Sequence, residues 1–215
     1  MRVLGVLAGE YADLSQLRGW CESANVIVAA DGGANRLLEI GVEPHFTVGD
    51  FDSISEEAKA HAGEMVEIED QDQSDCDKLL EFVQHRGWPS VALIGAEGSR
   101  IDHMLGILQS AARAQVQVSL AYRVQFGQVF RAPVVRELEL HGRFSLMPIY
   151  DCQGVTLCGA RWPLECAEFS PKTISSLSNE ADGTVEIAIS VGAAILLYDY
   201  DGQPRWTEPS DLGAQ

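Results

Sequence analysis

The first half of this 215-residue chain alternates short apolar runs with segments whose apolar residues recur at helical spacing. The apolar runs predict β-strands, and the periodic segments between them predict amphipathic helices. Predicted strands cover residues 3–7, 26–30, 46–48, 65–68 and 91–94, and predicted helices cover residues 14–24, 34–40, 55–62, 75–86 and 101–114. Because strands that alternate with helices usually pair in parallel, this pattern predicts an open, largely parallel sheet covered by helices.

After residue 114 the pattern changes to short β-rich runs separated by Gly, Pro or Asp turns. Predicted strands there cover residues 116–122, 125–132, 134–140, 143–148, 154–158, 184–190 and 193–198. Such a series without long helices is typical of an antiparallel β-sandwich. The predicted fold class is therefore α/β followed by all-β, with a largely parallel α/β domain over residues 1–125 and an antiparallel β-sandwich domain over residues 126–215.

The composition excludes several classes of function. The chain carries 15 Lys and Arg against 32 Asp and Glu, a formal charge of −17, which opposes non-specific binding to nucleic acid. A nucleotide held through a divalent cation remains compatible with this charge. Five widely spaced cysteines indicate reduced thiols in a cytoplasmic protein, and no apolar stretch approaches the ~18 residues of a membrane helix. The motifs of P-loop, dinucleotide-binding and acyl-hydrolase proteins do not occur.

Four acidic clusters each lie at or just beyond the end of a predicted strand. They are Asp31-Gly32-Gly33-Ala34-Asn35, Gly49-Asp50-Phe51-Asp52-Ser53, Asp70-Gln71-Asp72-Gln73-Ser74-Asp75-Cys76-Asp77-Lys78 and Gly95-Ala96-Glu97-Gly98-Ser99-Arg100-Ile101-Asp102-His103. In open α/β sheets, ligands bind at the carboxyl ends of the strands. The positions of the four clusters therefore predict one ligand site at that edge of the sheet.

The first two clusters indicate anion and metal binding. Paired glycines after Asp31 let a ligand approach the backbone, and the alternative is a plain turn in which Asp31 caps the following helix. Asp50 and Asp52 alternate in an extended segment and so share a face. Two adjacent carboxylates repel each other unless a cation lies between them, and Mg²⁺ prefers oxygen ligands. The alternative is a polar turn before Ser55, which caps the next helix.

The third and fourth clusters indicate phosphate binding. Ser74 or Asp75 suits a helix N-cap, and the further carboxylates with Lys78 one turn later suit a metal and a phosphate. Arg100 can bind phosphate through two hydrogen bonds, and Asp102 can orient it. The residues alone thus predict a metal-dependent enzyme acting on a phosphorylated ligand, and they leave the ligand open.

Taken together, the clusters resemble those of the thiamin pyrophosphokinase family in order and spacing. Two later strings are similar to the family's C-terminal signatures, namely Gly159-Ala160-Arg161-Trp162-Pro163-Leu164 and Ser176-Leu177-Ser178-Asn179-Glu180. The resemblance spans nearly the whole chain. It implies transfer of the pyrophosphoryl group of ATP to the hydroxyethyl group of thiamin, with release of AMP, by a homodimer that binds thiamin at the subunit interface.

The resemblance also implies roles for individual residues. Residues implied as catalytic are Asp50, Asp52, Asp72, Asp75 and Arg100, and of these Asp50, Asp52 and Asp75 are implied as Mg²⁺ ligands. Residues implied to lie around ATP and its metal are Asp31, Gly32, Asn35, Gln71, Lys78, Asp102 and His103. Those implied to face thiamin are Ser178 and Asn179. Either Asp72 or Asp75 is expected to accept the proton of the thiamin hydroxyl.

Two positions depart from the family's pattern. Ser99 stands where many relatives have Gly, and Ile107 stands where many have Asn.

Three other functions stay open. The alternatives are a pyrophosphokinase for another alcohol such as a hydroxymethyl pterin, a non-catalytic nucleotide or thiamin sensor, and a metal-dependent nucleotide hydrolase.

Overall fold

The computed structural model describes residues 1–11, 13–98, 100–173 and 176–207 of the chain. It divides into two compact units. Unit 1 comprises Met1–Arg123 together with Gly202–Thr207, and unit 2 comprises Val124–Asp201. Among the described helices, none combines the length and the apolarity that a membrane span requires.

Unit 1 is a parallel sheet with helices between its strands. Its elements in chain order are β1 (Val3–Val6), α1 (Leu14–Ser23), β2 (Val26–Ala30), α2 (Gly33–Glu39), β3 (Phe46–Gly49), α3 (Glu56–Lys59), β4 (Glu64–Glu67), α4 (Asp75–His85), β5 (Ser90–Ile94), α5 (Ile101–Arg113) and β6 (Gln117–Ala121). The strand order is β4-β3-β2-β1-β5-β6, and every pairing is parallel. The order therefore reverses between β1 and β5, which creates a topological switch point where ligands bind in this class of sheet.

The apolar runs of the sequence explain why these strands are central. All residues of β1 and β5 are buried, as expected for parallel strands covered by helices on both faces. The segment Gly202–Thr207 also packs within this unit, where the ring of Trp206 meets that of Trp20 edge-on at 5.0 Å.

Unit 2 is an antiparallel β-structure. Its described strands are β7 (Gln125–Arg131), β8 (Val134–Pro148), β9 (Cys152–Cys158), β10 (Leu164–Phe169), β11 (Ser176–Ile189) and β12 (Ala193–Asp199). They lie in the order β10-β9-β11-β8-β12-β7, and each neighbouring pair is antiparallel. All six contribute side chains to one apolar core, with Phe144, Phe169 and Ile187 among its most buried members.

The predicted fold class is confirmed, and several element predictions are corrected. The run 116–122 was grouped with the β-rich runs of antiparallel type, although the predicted domain bound after residue 125 placed it in the first domain; β6 pairs in parallel with β5 and belongs to unit 1. The predicted strands 134–140 and 143–148 form the single strand β8, which continues through Gly142 at a φ of +94°. The predicted strand 184–190 begins eight residues earlier as part of β11, β10 was not predicted, and the helix expected over 55–62 is the four-residue α3.

Candidate active site

A cavity of about 740 Å³ lies in unit 1 where the carboxyl ends of β1, β2, β3 and β5 meet the start of α4. This position is the switch point of the sheet. Seven residues predicted for the site line the cavity, namely Asp50, Asp52, Asp75, Lys78, Arg100, Asp102 and His103. These seven residues come from the second, third and fourth acidic clusters, which therefore meet at one edge of the sheet.

Asp31 lies next to this cavity at the end of β2 and is fully buried. Its backbone has a φ of +39°, a conformation that Asp tolerates better than most residues. Neither of its carboxylate oxygens has a hydrogen-bond partner among the described residues. Burial raises the pKa of Asp31 to about 6, and the negative charge of Asp75 adds to this increase. A buried carboxylate whose oxygens lack well-formed hydrogen bonds is costly, and a cation shared with neighbouring carboxylates would offset this cost.

Asp50 and Asp52 follow β3 and approach Asp31. One carboxylate oxygen from each of the three residues lies within 4.8 Å of the others. The segment is not simply extended as the sequence predicted, because Phe51 adopts a φ of +62°. A left-handed turn, rather than strand alternation, therefore brings the two aspartates to one site. Gly49 makes the approach possible, since a Cβ on it would lie 2.8 Å from the Cβ of Asp31.

Lys78 joins the cluster from the first turn of α4. The side chain is only 2% exposed, and its Nζ lies 3.2 Å from Oδ2 of Asp50 and 3.9 Å from Oδ1 of Asp75. Gln71 donates a 2.8 Å hydrogen bond to the same oxygen of Asp50. Together Gln71 and Lys78 hold the pKa of Asp50 below its ordinary value, whereas burial raises that of Asp75. Asp75 is not part of the three-carboxylate cluster, although it faces the same cavity.

The third cluster contains the cap of α4 that the sequence predicted. Ser74 caps α4 by accepting from the backbone N–H of Asp77, and the Asp77 carboxylate accepts in return from the Ser74 N–H, which completes a capping box. This cap fixes the helix start from which Asp75 and Lys78 extend to the cavity. Helix capping and a functional role for the cluster are therefore compatible.

Arg100 and Asp102 form an exposed ion pair at the rim of the cavity. Nε and Nη2 of Arg100 donate to the two carboxylate oxygens at 3.0 and 2.6 Å. The hydrogen bonds from Arg100 hold the pKa of Asp102 well below its usual range. His103 and Ile107 line the cavity from α5, while Ser99 lies outside the described residues.

The remaining predicted residues of unit 1 lie off the cavity wall. Gly32 occupies the N-cap position of α2. Asn35 donates from Nδ2 to the carbonyl of Ser53 and accepts at Oδ1 from the N–H of Ser55, both at 2.9 Å. Asp72 is exposed, and its N–H donates to Asp70 at 2.9 Å. Of the two residues predicted to accept a proton, only Asp75 therefore borders the cavity.

Three charged residues on the cavity wall were given no role at the sequence level, namely Glu10, Arg36 and Glu97, although Glu97 stands in the fourth cluster. Glu10 follows β1, and its N–H donates to the carbonyl of Glu97 at 2.8 Å. Gly9 permits this close pairing, because a Cβ there would lie 2.0 Å from the carbonyl oxygen of Gly95. The sequence feature that could have identified Glu10 as a site residue is its position, with Gly9, shortly after a buried strand.

In unit 2, the two residues predicted to face thiamin have different environments. Asn179 is 1% exposed, and its side chain bonds to Trp162 N, Trp162 O, Ser176 Oγ and Glu180 N at 2.8–3.1 Å. Ser178 is exposed with a φ of +57°. Asn179 thereby fixes the backbone of Trp162, whose exposed indole lies 4.7 Å below the guanidinium of Arg161. These hydrogen bonds fill the capacity of the amide, whereas the indole of Trp162 and the side chain of Ser178 are exposed at this surface, beside the exposed Arg161.

Comparison with known proteins gives consistent matches over most of the chain. Residues 17–122 match the family model described as thiamin pyrophosphokinase, catalytic domain, and residues 134–196 match that described as thiamin pyrophosphokinase, vitamin B1 binding domain. A thiamine pyrophosphokinase of Bacillus subtilis is 26% identical over 84% of this chain and 90% of its own length. A crystal structure of thiamine pyrophosphokinase from the same species is 25% identical with a TM-score of 0.75, covering 93% of this chain and all of the other. Thiamin pyrophosphokinase from Candida albicans, 16% identical over 93% of this chain and 90% of its own, has the same fold with a TM-score of 0.76.

Proposed function

This chain belongs to the thiamin pyrophosphokinase family of ATP-dependent diphosphotransferases, and from that membership we propose how its acidic site works. The reaction transfers the pyrophosphoryl group of ATP to the hydroxyethyl group of thiamin and gives thiamin diphosphate and AMP. The observation that carries the assignment to this site is the cluster of Asp31, Asp50 and Asp52 beside Lys78, at the switch point of the parallel sheet.

The donor set fits Mg²⁺. Three carboxylates lie close enough to share one cation, and Asp31 is fully buried with neither oxygen satisfied by the described residues. Hard divalent cations take oxygen ligands of this kind together with substrate phosphates. When bound, the metal would supply positive charge against the phosphates. Asp75, implied as a further ligand, faces the same cavity from α4.

The chain's own cations and carboxylates support an in-line transfer. Lys78 and Arg100 place positive charge on the cavity wall where phosphate oxygens would lie, and stabilising charge together with positioning accounts for most of catalysis in such transfers. The thiamin hydroxyl oxygen forms a bond to the β-phosphorus while the bond from that phosphorus to the leaving AMP oxygen breaks. The proton of the hydroxyl passes to a carboxylate. We assign this role to Asp75, because it borders the cavity and burial raises its pKa, whereas Asp72 is exposed away from the wall.

For thiamin itself, we propose the surface of unit 2 that carries Trp162 and Ser178. An exposed indole suits a flat cationic ring, and Asn179 holds the backbone that carries the indole. We further propose a cytoplasmic homodimer with its thiamin site at the subunit interface. The free cysteines are consistent with a reducing compartment, and sedimentation at twice the mass of the chain is the expected result for the dimer.

The test of this function is phosphorus NMR of the purified protein with ATP, Mg²⁺ and thiamin. AMP and thiamin diphosphate should appear together and only when thiamin is present. ATP that stays intact with thiamin but is consumed with a hydroxymethyl pterin would assign a different acceptor. Release of AMP and pyrophosphate without any acceptor would indicate a hydrolase, and unchanged ATP in every mixture would indicate a sensor.

A further inference from the structure

Asn35 connects α2 to the loop that carries the metal-binding aspartates. Its amide nitrogen donates to the carbonyl of Ser53 and its amide oxygen accepts from the N–H of Ser55, both at 2.9 Å. A carbonyl can only accept and an N–H can only donate, so these partners fix the orientation of the amide. The side chain therefore holds two backbone groups of the loop at once.

The helix that carries Asn35 is itself held against β1. Gly33 begins α2, and a Cβ on it would lie 2.1 Å from the carbonyl oxygen of Val6. There is thus no space for the start of the helix to move closer to the sheet. A hydrogen bond from Asn35 consequently links the loop to a helix start that packs closely on β1.

The connection continues from the loop backbone to a carboxylate. Ser53, whose carbonyl accepts from Asn35, donates from Oγ to Oδ1 of Asp52 at 2.8 Å. Phe51, between the two aspartates, has a φ of +62°, which a residue of its kind adopts only when its surroundings hold it there. The loop thus needs an external restraint, and Asn35 provides two hydrogen bonds at its far end.

We propose that Asn35 is a positioning residue that acts through the backbone of residues 53–55 and holds Asp52 in its metal-binding arrangement. It is not among the residues that line the cavity in the described part of the chain, and both ends of its amide are already bonded. The inference revises the sequence-level expectation that Asn35 contacts the nucleotide. It rests on the proposed function, since it assumes that Asp50 and Asp52 bind a metal.

The test compares Asn35→Ala with Asn25→Ala in the full-length protein without nucleotide. Asn25 also accepts a backbone hydrogen bond, from Arg2 at 2.9 Å, but it lies directly before β2, at the end of that strand opposite to the site, so this variant controls for the loss of one such contact. Titration calorimetry with Mn²⁺ should show an affinity about 10-fold lower for Asn35→Ala and unchanged for Asn25→Ala, because supporting contacts of ligands contribute to metal affinity on this scale. Asn35→Ser serves as a second variant with the same expectation if Asn35→Ala does not fold.

Activity as a function of Mg²⁺ separates positioning from general damage. If Asn35 positions Asp52, the variant should need more Mg²⁺ and recover most of its kcat at saturation. A kcat lowered by the same factor at every Mg²⁺ concentration, or a Mn²⁺ affinity equal to that of the wild type, would overturn the inference alone. A wild type that does not bind Mn²⁺ would overturn both the metal site and this inference.

Discussion

Replacing Lys78 by Met should destabilise the metal-free protein strongly and the metal-bound protein much less. In the metal-free state, the buried ammonium lies 3.2 Å from Asp50 and 3.9 Å from Asp75. Removing one partner of a buried ion pair costs about 3–5 kcal/mol, because the other charge is left without compensation. The Asp50 side chain is 18% exposed, so we expect the lower end of this range, about 3 kcal/mol.

A loss of this size lowers the melting temperature by roughly 10 °C for a unit of this length. A bound divalent cation would supply the missing charge, and ligands that bind only the folded state stabilise it. Thermal unfolding should therefore be recorded in chelator and in excess Mn²⁺, and the difference between variant and wild type should shrink markedly with Mn²⁺.

Lys59→Met is the matched control for this experiment. Lys59 forms a surface ion pair with Glu56 at 2.8 Å on α3, and such pairs contribute little, so its melting temperature should change by only a degree or two. The reasoning is refuted if Lys78→Met is as stable as Lys59→Met in chelator. It is also refuted if the deficit of Lys78→Met is the same with and without Mn²⁺.

Three further substitutions test other parts of the account. Asp31→Asn keeps a residue that tolerates a positive φ but removes a buried charge whose oxygens lack hydrogen bonds. The free energy of unfolding in chelator should therefore rise by about 1–2 kcal/mol, while calorimetry should show weaker Mn²⁺ binding. A lower free energy of unfolding in chelator would contradict this. Gly33→Ala should lower the free energy of unfolding by about 2 kcal/mol or more, because its Cβ would meet a carbonyl of β1. Gly19→Ala has open space around it in α1 and should raise the free energy of unfolding by about 0.5–1 kcal/mol. Equal effects in thermal unfolding would exclude the packing argument. Asn179→Ala removes four hydrogen bonds and should destabilise unit 2 by about 2–3 kcal/mol in urea unfolding. An effect no larger than that of Ser178→Ala would show that the Asn179 hydrogen bonds do not stabilise unit 2.

Local sequence patterns predicted the fold of unit 1 because its central strands β1, β2 and β5 are buried apolar runs, whereas the edge strand β4 is mostly exposed. The predicted bounds of β1, β2 and β5 differ from the observed ones by at most one residue, since burial on both faces leaves little choice of residue type. The run that became β6 is short and apolar, as several strands of unit 2 are, and nothing within the run distinguishes a parallel partner from an antiparallel one. Period and composition therefore could not assign it to a unit.

The residues of the site could be predicted as clusters in the sequence, but their arrangement in space could not. The position of Asp50 and Asp52 after a strand indicated where they would lie. The positive φ of Phe51 and the close approach of Gly49 to Asp31 depend on contacts between separate segments. No local pattern distinguishes an Asn that binds a ligand from one that holds a loop, so the role of Asn35 required its partners to be seen.

The most direct test of the central claim is the rate of pyrophosphoryl transfer by Asp52→Asn, measured by phosphorus NMR with ATP, Mg²⁺ and thiamin. Asp52 is exposed at the cavity and bonds only to Ser53 among the hydrogen bonds described for its side chain, so the fold should be retained, as circular dichroism and thermal unfolding will show. A metal ligand contributes several kcal/mol to transition-state stabilisation, which predicts a rate lower by about 10³-fold or more. A folded Asp52→Asn protein that forms thiamin diphosphate at nearly the wild-type rate would contradict the claim that this acidic cluster is the catalytic metal site.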